Sequence, residues 1–113
     1  LTHRMVKAAD ILAARGIKAR VLNMATVRPI DEAAIVAAAT QTGAILTAEE
    51  HSIYGGLGSA IAEVVVEQAP VPMKRLGVPG VFAHTGPAEW LLDEFGMAPH
   101  AIAEAAEALI KRK

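Results

Sequence analysis

The stretch Ala44-Ile45-Leu46-Thr47-Ala48 constrains this chain more than any other part of it. It is a nearly continuous apolar run bounded by turn signals, with Gly43 before it and Gly55-Gly56 after it. A strand half-exposed to water alternates apolar and polar residues; an unbroken run reads as a strand buried on both faces. Burial on both faces requires helices above and below the sheet. The flanking sequence supplies them. Met5, Ala8, Ala9, Leu12 and Ala13 recur at helical spacing, with Arg4, Lys7 and Asp10 outside and Gly16 as a stop. Asp31 is a good N-cap for an alanine-rich helix to about Thr42, ended by Gly43.

After the apolar run, Leu57, Ala60, Ile61, Val64 and Val65 form one stripe, while Glu63 and Glu67 share the opposite face. Thr85 and Pro87 mark a helix through Trp90, Leu91 and Leu92 to Gly96. A last helix begins near Pro99 and buries Ile102, Ala105, Ala106, Leu109 and Ile110. Ala19-Arg20-Val21-Leu22 and Met73 to Gly77 read as two further strands. Strands separated by helices need crossover connections, so they pair in parallel with right-handed units. The fold class is α/β, in one domain over residues 1–113. Three strands make a thin sheet, and a chain that opens on a helix is expected to lack the strand before it.

Composition removes several function classes. The chain is 53% hydrophobic and 20% charged, which is globular rather than disordered. A formal charge of −1 gives no basis for a nucleic-acid or acidic-membrane surface, and Lys111-Arg112-Lys113 reads as a solvated helix end. Cysteine is absent, which removes disulfides, thiolate nucleophiles and cysteine metal sites. No run reaches the ~18 apolar residues of a membrane span. The expectation is a soluble, cytoplasmic domain with no nucleic-acid or membrane partner.

Chemistry concentrates in Glu49-Glu50-His51-Ser52-Ile53-Tyr54-Gly55-Gly56-Leu57-Gly58-Ser59. The segment joins a buried strand to an amphipathic helix, at the carboxyl edge where open α/β sheets bind ligands. Glycines before a helix expose N–H groups to an anion, but the third glycine of the dinucleotide fingerprint is missing and no P-loop lysine follows. Tight helix-to-strand packing explains the same glycines. Glu50 and His51 could perform acid–base work, or a hydrogen-bonded set could position the loop or face a partner chain. Strand alternation makes Glu49 and His51 the same-side pair. Ser59 fails as an elbow nucleophile, because Leu57 and Ile61 stand where glycines are required. His3, His51, His84 and His100 are widely separated, with no metal-ligand spacing. Met73, Met97 and Trp90 read as packing residues. Residue types alone therefore lead to an α/β domain without its own active site.

The same residues, in order, resemble the C-terminal domain of the transketolase family. Val27-Arg28-Pro29-Ile30-Asp31 is similar to its helix-entry step. Thr47-Ala48-Glu49-Glu50-His51-Ser52 with Gly55-Gly56-Leu57-Gly58-Ser59-Ala60 resembles its most recognisable stretch, and Arg75-Leu76-Gly77-Val78-Pro79 the strand and loop that follow. The Glu-Glu-His-Ser and Gly-Gly-Leu-Gly-Ser strings are most similar to split transketolases. Deoxyxylulose-phosphate synthases and the β subunits of 2-oxo-acid dehydrogenases share the architecture. The resemblance implies a three-layer α/β/α domain with a mixed, mostly parallel sheet whose first strands precede Leu1. It implies a parent enzyme for two-carbon ketol transfer between sugar phosphates, with thiamine diphosphate and magnesium bound by other domains and none bound here. It further implies packing against pyrimidine-binding and diphosphate-binding domains and a homo-oligomer, with Glu49, Glu50, His51, Gly55, Gly56, Gly58 and Ser59 near the contact. No catalytic residue is carried onto this chain. The competing expectation is a free-standing small-molecule or nucleotide-binding α/β module. The two differ at the glycine turn: open N–H groups favour the module, and a turn filled by its own side chains favours the assembly domain.

Overall fold

A computed structural model describes residues 1–22, 31–52, 56–78 and 89–113, apart from the side chains of Glu50, His51, Ser52, Val78, Glu89 and Leu91. The elements are α1 (Thr2–Ala14), α2 (Glu32–Thr42), β1 (Ile45–Ser52), α3 (Leu57–Gln68), β2 (Met73–Val78), α4 (Glu89–Glu94) and α5 (Pro99–Ile110). Local chemistry accounts for most of their boundaries. The Asp31 carboxylate accepts from the Ala34 N–H at 3.0 Å, which caps α2. Gly16 and Gly43 end α1 and α2 at φ of 80° and 79°, where a side chain would be strained. Pro99 opens α5, where its missing N–H costs no helical hydrogen bond.

β1 and β2 pair in parallel, Ile45 opposite Met73 and Thr47 opposite Arg75. The register shifts between Ala48 and Ser52, so β1 is irregular where the candidate site begins. The period of two sorts β1 between two cores. Ile45 packs with Ile35, Ile61, Val64 and Val65 of α2 and α3. Leu46 and Ala48 pack on the other face against Ala8, Leu12, Ile102 and Ala103 of α1 and α5, together with Leu92 and Met97. The sheet thus lies between two helical layers, the three-layer α/β/α arrangement, and the apolar run is covered on both faces as its composition requires.

Several expectations need correction. Ala19–Leu22 is not in a strand; it forms no ladder with β1, and the described sheet has two strands, not three. Arg4, expected outside α1, is buried, with its guanidinium 2.6 Å from the Asp93 carboxylate and 3.0 Å from the Met97 carbonyl. An arginine can be buried when its fork is paired in this way. Ala13, placed on the buried stripe, is exposed. Trp90, expected as a packing anchor, is 65% exposed, and Leu92 and Met97 fill the interior instead. Lys111-Arg112-Lys113 is exposed but not idle: Lys113 Nζ donates to the Thr42 carbonyl at 2.6 Å, and Arg112 to the Met73 carbonyl. The Val27–Ile30 step, Pro79 and the Thr85–Pro87 helix start lie outside the described residues.

Candidate functional site

Odd-numbered residues of β1 face α3, so Thr47 and Glu49 follow Ile45 towards the start of that helix. The first N–H groups of a helix have no intrahelical partner. Gly56, the N-cap of α3, has no side chain to offer them. Glu49 does so from the strand. Its two carboxylate oxygens accept from the Leu57 N–H at 3.0 Å and the Gly58 N–H at 2.8 Å. Glu49 is only 6% exposed. Charge-assisted bonds at the positive end of a helix dipole are what make a buried carboxylate tolerable here.

Gly58 lets the helix come this close. A Cβ at that position would lie 2.8 Å from Thr47 Oγ1 and 3.1 Å from two carbons of the Arg75 side chain. Arg75, opposite Thr47 on β2, reaches over the same surface and donates to Ser59 Oγ at 3.0 Å. Thr47, Glu49, Gly58, Ser59 and Arg75 therefore form one buried junction between the sheet and α3. The Thr47 hydroxyl sits inside it with no hydrogen-bond partner among the described residues. Because a buried unpaired hydroxyl carries its desolvation penalty uncompensated, Thr47→Val should be neutral or stabilise the chain by up to about 1 kcal/mol. Urea denaturation would show an unchanged or higher midpoint with the same slope.

This geometry distributes the predicted site residues unevenly. Glu49, Gly58 and Ser59 converge, and Gly56 sets the helix entry. The side chains of Glu50 and His51, and all of Gly55, lie outside the described residues, as does the expected Glu49–His51 pair. Thr47 and Arg75 were missed as members of the junction. Their signal was Thr47 interrupting the apolar run of β1 and the Lys74-Arg75 pair within β2, of which β pairing places Arg75 opposite Thr47. The donors that an anion would need are already held by an internal carboxylate, so a phosphate here would displace Glu49 or meet its charge. The N–H groups of Leu57 and Gly58 at the start of α3 are held by the protein's own side chain. Among the described residues no group of three His, Asp or Glu side chains is placed to hold a metal ion. No helix among them is long and apolar enough to cross a membrane.

A model of the transketolase C-terminal domain matches residues 1–102. This chain belongs to that family. It is 46% identical over 106 residues to a 6-deoxy-6-sulfo-D-fructose transketolase subunit of Clostridium sp. (strain MSTE9), covering 94% of this chain and 33% of the relative. It is 37% identical over 110 residues to an apulose-4-phosphate transketolase subunit of Phocaeicola vulgatus, covering 97% and 35%. A 1-deoxy-D-xylulose-5-phosphate synthase of Geobacter sulfurreducens is 41% identical over 110 residues, covering 96% of this chain and 17% of that enzyme. A solved structure, a split gene transketolase in an inactive β4 tetramer, superposes with a TM-score of 0.87 at 43% identity, over 97% of this chain and 36% of that one. The transketolase C-terminal domain thus spans about a third of the transketolase subunits it matches and a smaller part of the synthase.

Proposed function

We propose that this transketolase C-terminal domain is the assembly domain of a thiamine-diphosphate-dependent, transketolase-type transferase and carries no catalytic residue itself. The observation that carries the reading is the Glu49 carboxylate, which occupies the helix N-terminus that a free-standing anion-binding module would have left open. The described residues do not fit the cofactor's diphosphate, whose negative charge would face that same carboxylate. Thiamine diphosphate and magnesium are therefore assigned to other domains of the parent enzyme. There the cofactor would supply the stabilised carbanion needed to transfer a two-carbon ketol unit between sugar phosphates. The relatives' names span sulfosugar, apulose phosphate and deoxyxylulose phosphate chemistry, which supports the reaction class and leaves the sugar open.

On this reading the chain is part of a larger cytoplasmic enzyme of sugar-phosphate metabolism, and its partners are the pyrimidine-binding and diphosphate-binding domains or subunit. Glu50, His51 and Gly55, on the chain between Glu49 and α3, are the proposed contact with them. Glu49 on β1 and Gly56, Gly58 and Ser59 at the start of α3 fix the two ends of that stretch. A homo-oligomer is part of the same proposal, supported by the tetramer that a related split-gene transketolase chain forms.

Sedimentation of the complete enzyme carrying His51→Ala tests the proposal. The variant should dissociate at a protein concentration at least about tenfold higher than the unaltered enzyme, an interface loss of about 1.4 kcal/mol. The fraction that remains assembled should turn over at the unaltered rate. An intact oligomer with a collapsed kcat would instead place His51 in the chemistry.

A further inference from the structure

The short helix α4 is held in one orientation from behind. Leu92 within it is 2% exposed, and Met97 just after it is fully buried. Arg4 of α1, buried itself, donates to Asp93 Oδ1 and to the Met97 carbonyl. Residues two apart on a helix lie about 200° apart around its axis, so burial of Leu92 turns Trp90 away from the core. Trp90 is the only tryptophan in the chain. Trp90, Asp93 and Glu94 stand at i, i+3 and i+4, the spacing that brings side chains about 5–6 Å apart on one helix face. Glu94 is exposed, and the Asp93 side chain stays 58% exposed although Arg4 pairs with it. The helix carries three acidic residues and no basic one.

A single exposed apolar side chain is ordinary, as Val6, Leu22 and Val66 are here. Trp90 differs in its surroundings: a flat π face of the kind that anchors protein interfaces stands beside two carboxylates. That combination selects a cation with a flat, weakly hydrated plane. A guanidinium stacks on the ring and turns its N–H edge to a carboxylate, whereas an ammonium is a compact, strongly hydrated charge that gains less from the ring. We propose that the outer face of α4 docks an arginine-bearing segment of a partner polypeptide, with Trp90 taking the guanidinium plane and Glu94 and Asp93 its charge. Charge decides against the other occupants. A sugar phosphate or an anionic lipid surface would bring negative charge onto the two carboxylates. In a second copy of this chain, the basic cluster Lys111-Arg112-Lys113 is already engaged, Arg112 with the Met73 carbonyl and Lys113 with the Thr42 carbonyl. Arg4 acts as a positioning residue, because it fixes Asp93 and with it the outward setting of Trp90. The surface uses none of Glu50, His51 and Gly55, so it stands whether or not those residues form the assembly contact.

The test is calorimetric titration of the complete enzyme with a blocked Gly-Arg-Gly-Arg-Gly peptide and with its lysine counterpart, up to about 5 mM. The arginine peptide should bind saturably and at least about fivefold more tightly than the lysine peptide. Binding should weaken as salt is raised, as it does for exposed charges. Trp90→Ala should remove the saturable heat, and Glu94→Gln should weaken it at least about threefold. Both side chains are exposed, so neither change should alter turnover or shift the melting temperature by more than about 2 °C. In this chain by itself, the emission of its single tryptophan should change over the same range of peptide concentration. No saturable heat with the arginine peptide would overturn the proposal. So would equal binding of the two peptides, which needs only a diffuse negative surface, or binding that survives Trp90→Ala. Displacement of the peptide by ribose 5-phosphate would overturn it in favour of a sugar site.

Discussion

Replacing Glu49 with alanine should destabilise the domain by about 3 kcal/mol and lower its melting temperature by at least about 10 °C. The carboxylate makes two charge-assisted bonds to the Leu57 and Gly58 N–H groups, and its removal leaves the first turn of α3 without a cap in a buried setting. Ordinary N-cap losses are about 1 kcal/mol; burial and the second bond account for the larger figure. Glu49→Gln separates charge from shape. It keeps one acceptor at nearly the same position and should cost about half as much. Thermal melts of the three proteins check the order. Equal stability of Glu49→Ala and the unaltered chain would mean that the carboxylate is not the cap.

The second large effect is at Gly58. Its hypothetical Cβ lies 2.8 Å from Thr47 Oγ1, closer than real Cβ atoms approach, and 3.1 Å from the Arg75 stem. Arg75 is long enough to move aside, whereas Thr47 is fixed on β1. Gly58→Ala should therefore cost about 1–2 kcal/mol, and Gly58→Val about 3 kcal/mol, with α3 displaced from the sheet. Thr47→Ala removes the closest atom and should recover most of the Gly58→Ala loss, a coupling of at least about 1 kcal/mol in a double-mutant cycle. Additive losses would place the cost elsewhere in α3. In the complete enzyme Gly58→Val should also weaken assembly, because the same junction supports the proposed contact stretch.

These two residues show what sequence could and could not disclose. The glycines before α3 were recognisable as either an anion cradle or a close-packing device, and spacing alone could not separate the two. The deciding atom belongs to Glu49, eight residues before Leu57, and only the fold brings it to the helix end. Helix boundaries were more legible because their causes are local: Asp31 caps three residues ahead, and Gly43 turns where it stands. Arg4 and Trp90 went wrong for a common reason. Helical spacing specifies which residues share a face, but it does not reveal that Asp93 and the Met97 carbonyl wait beside Arg4, or that Trp90 turns outward. Ala19–Leu22 has strand-forming residues without a described strand partner, and propensity cannot provide one. The three-layer order was legible because the double-sided burial of Ile45 to Ala48 leaves few alternatives.

The most direct test of the central claim is calorimetric titration of this transketolase C-terminal domain with thiamine diphosphate and magnesium, with ATP and a sugar phosphate titrated in parallel. An assembly domain whose α3 N-terminus is filled by Glu49 should give no saturable heat with any of the three. Saturable binding of thiamine diphosphate would contradict the assignment of the cofactor to other domains, and saturable binding of ATP or the sugar phosphate would make the chain a ligand-binding module in its own right.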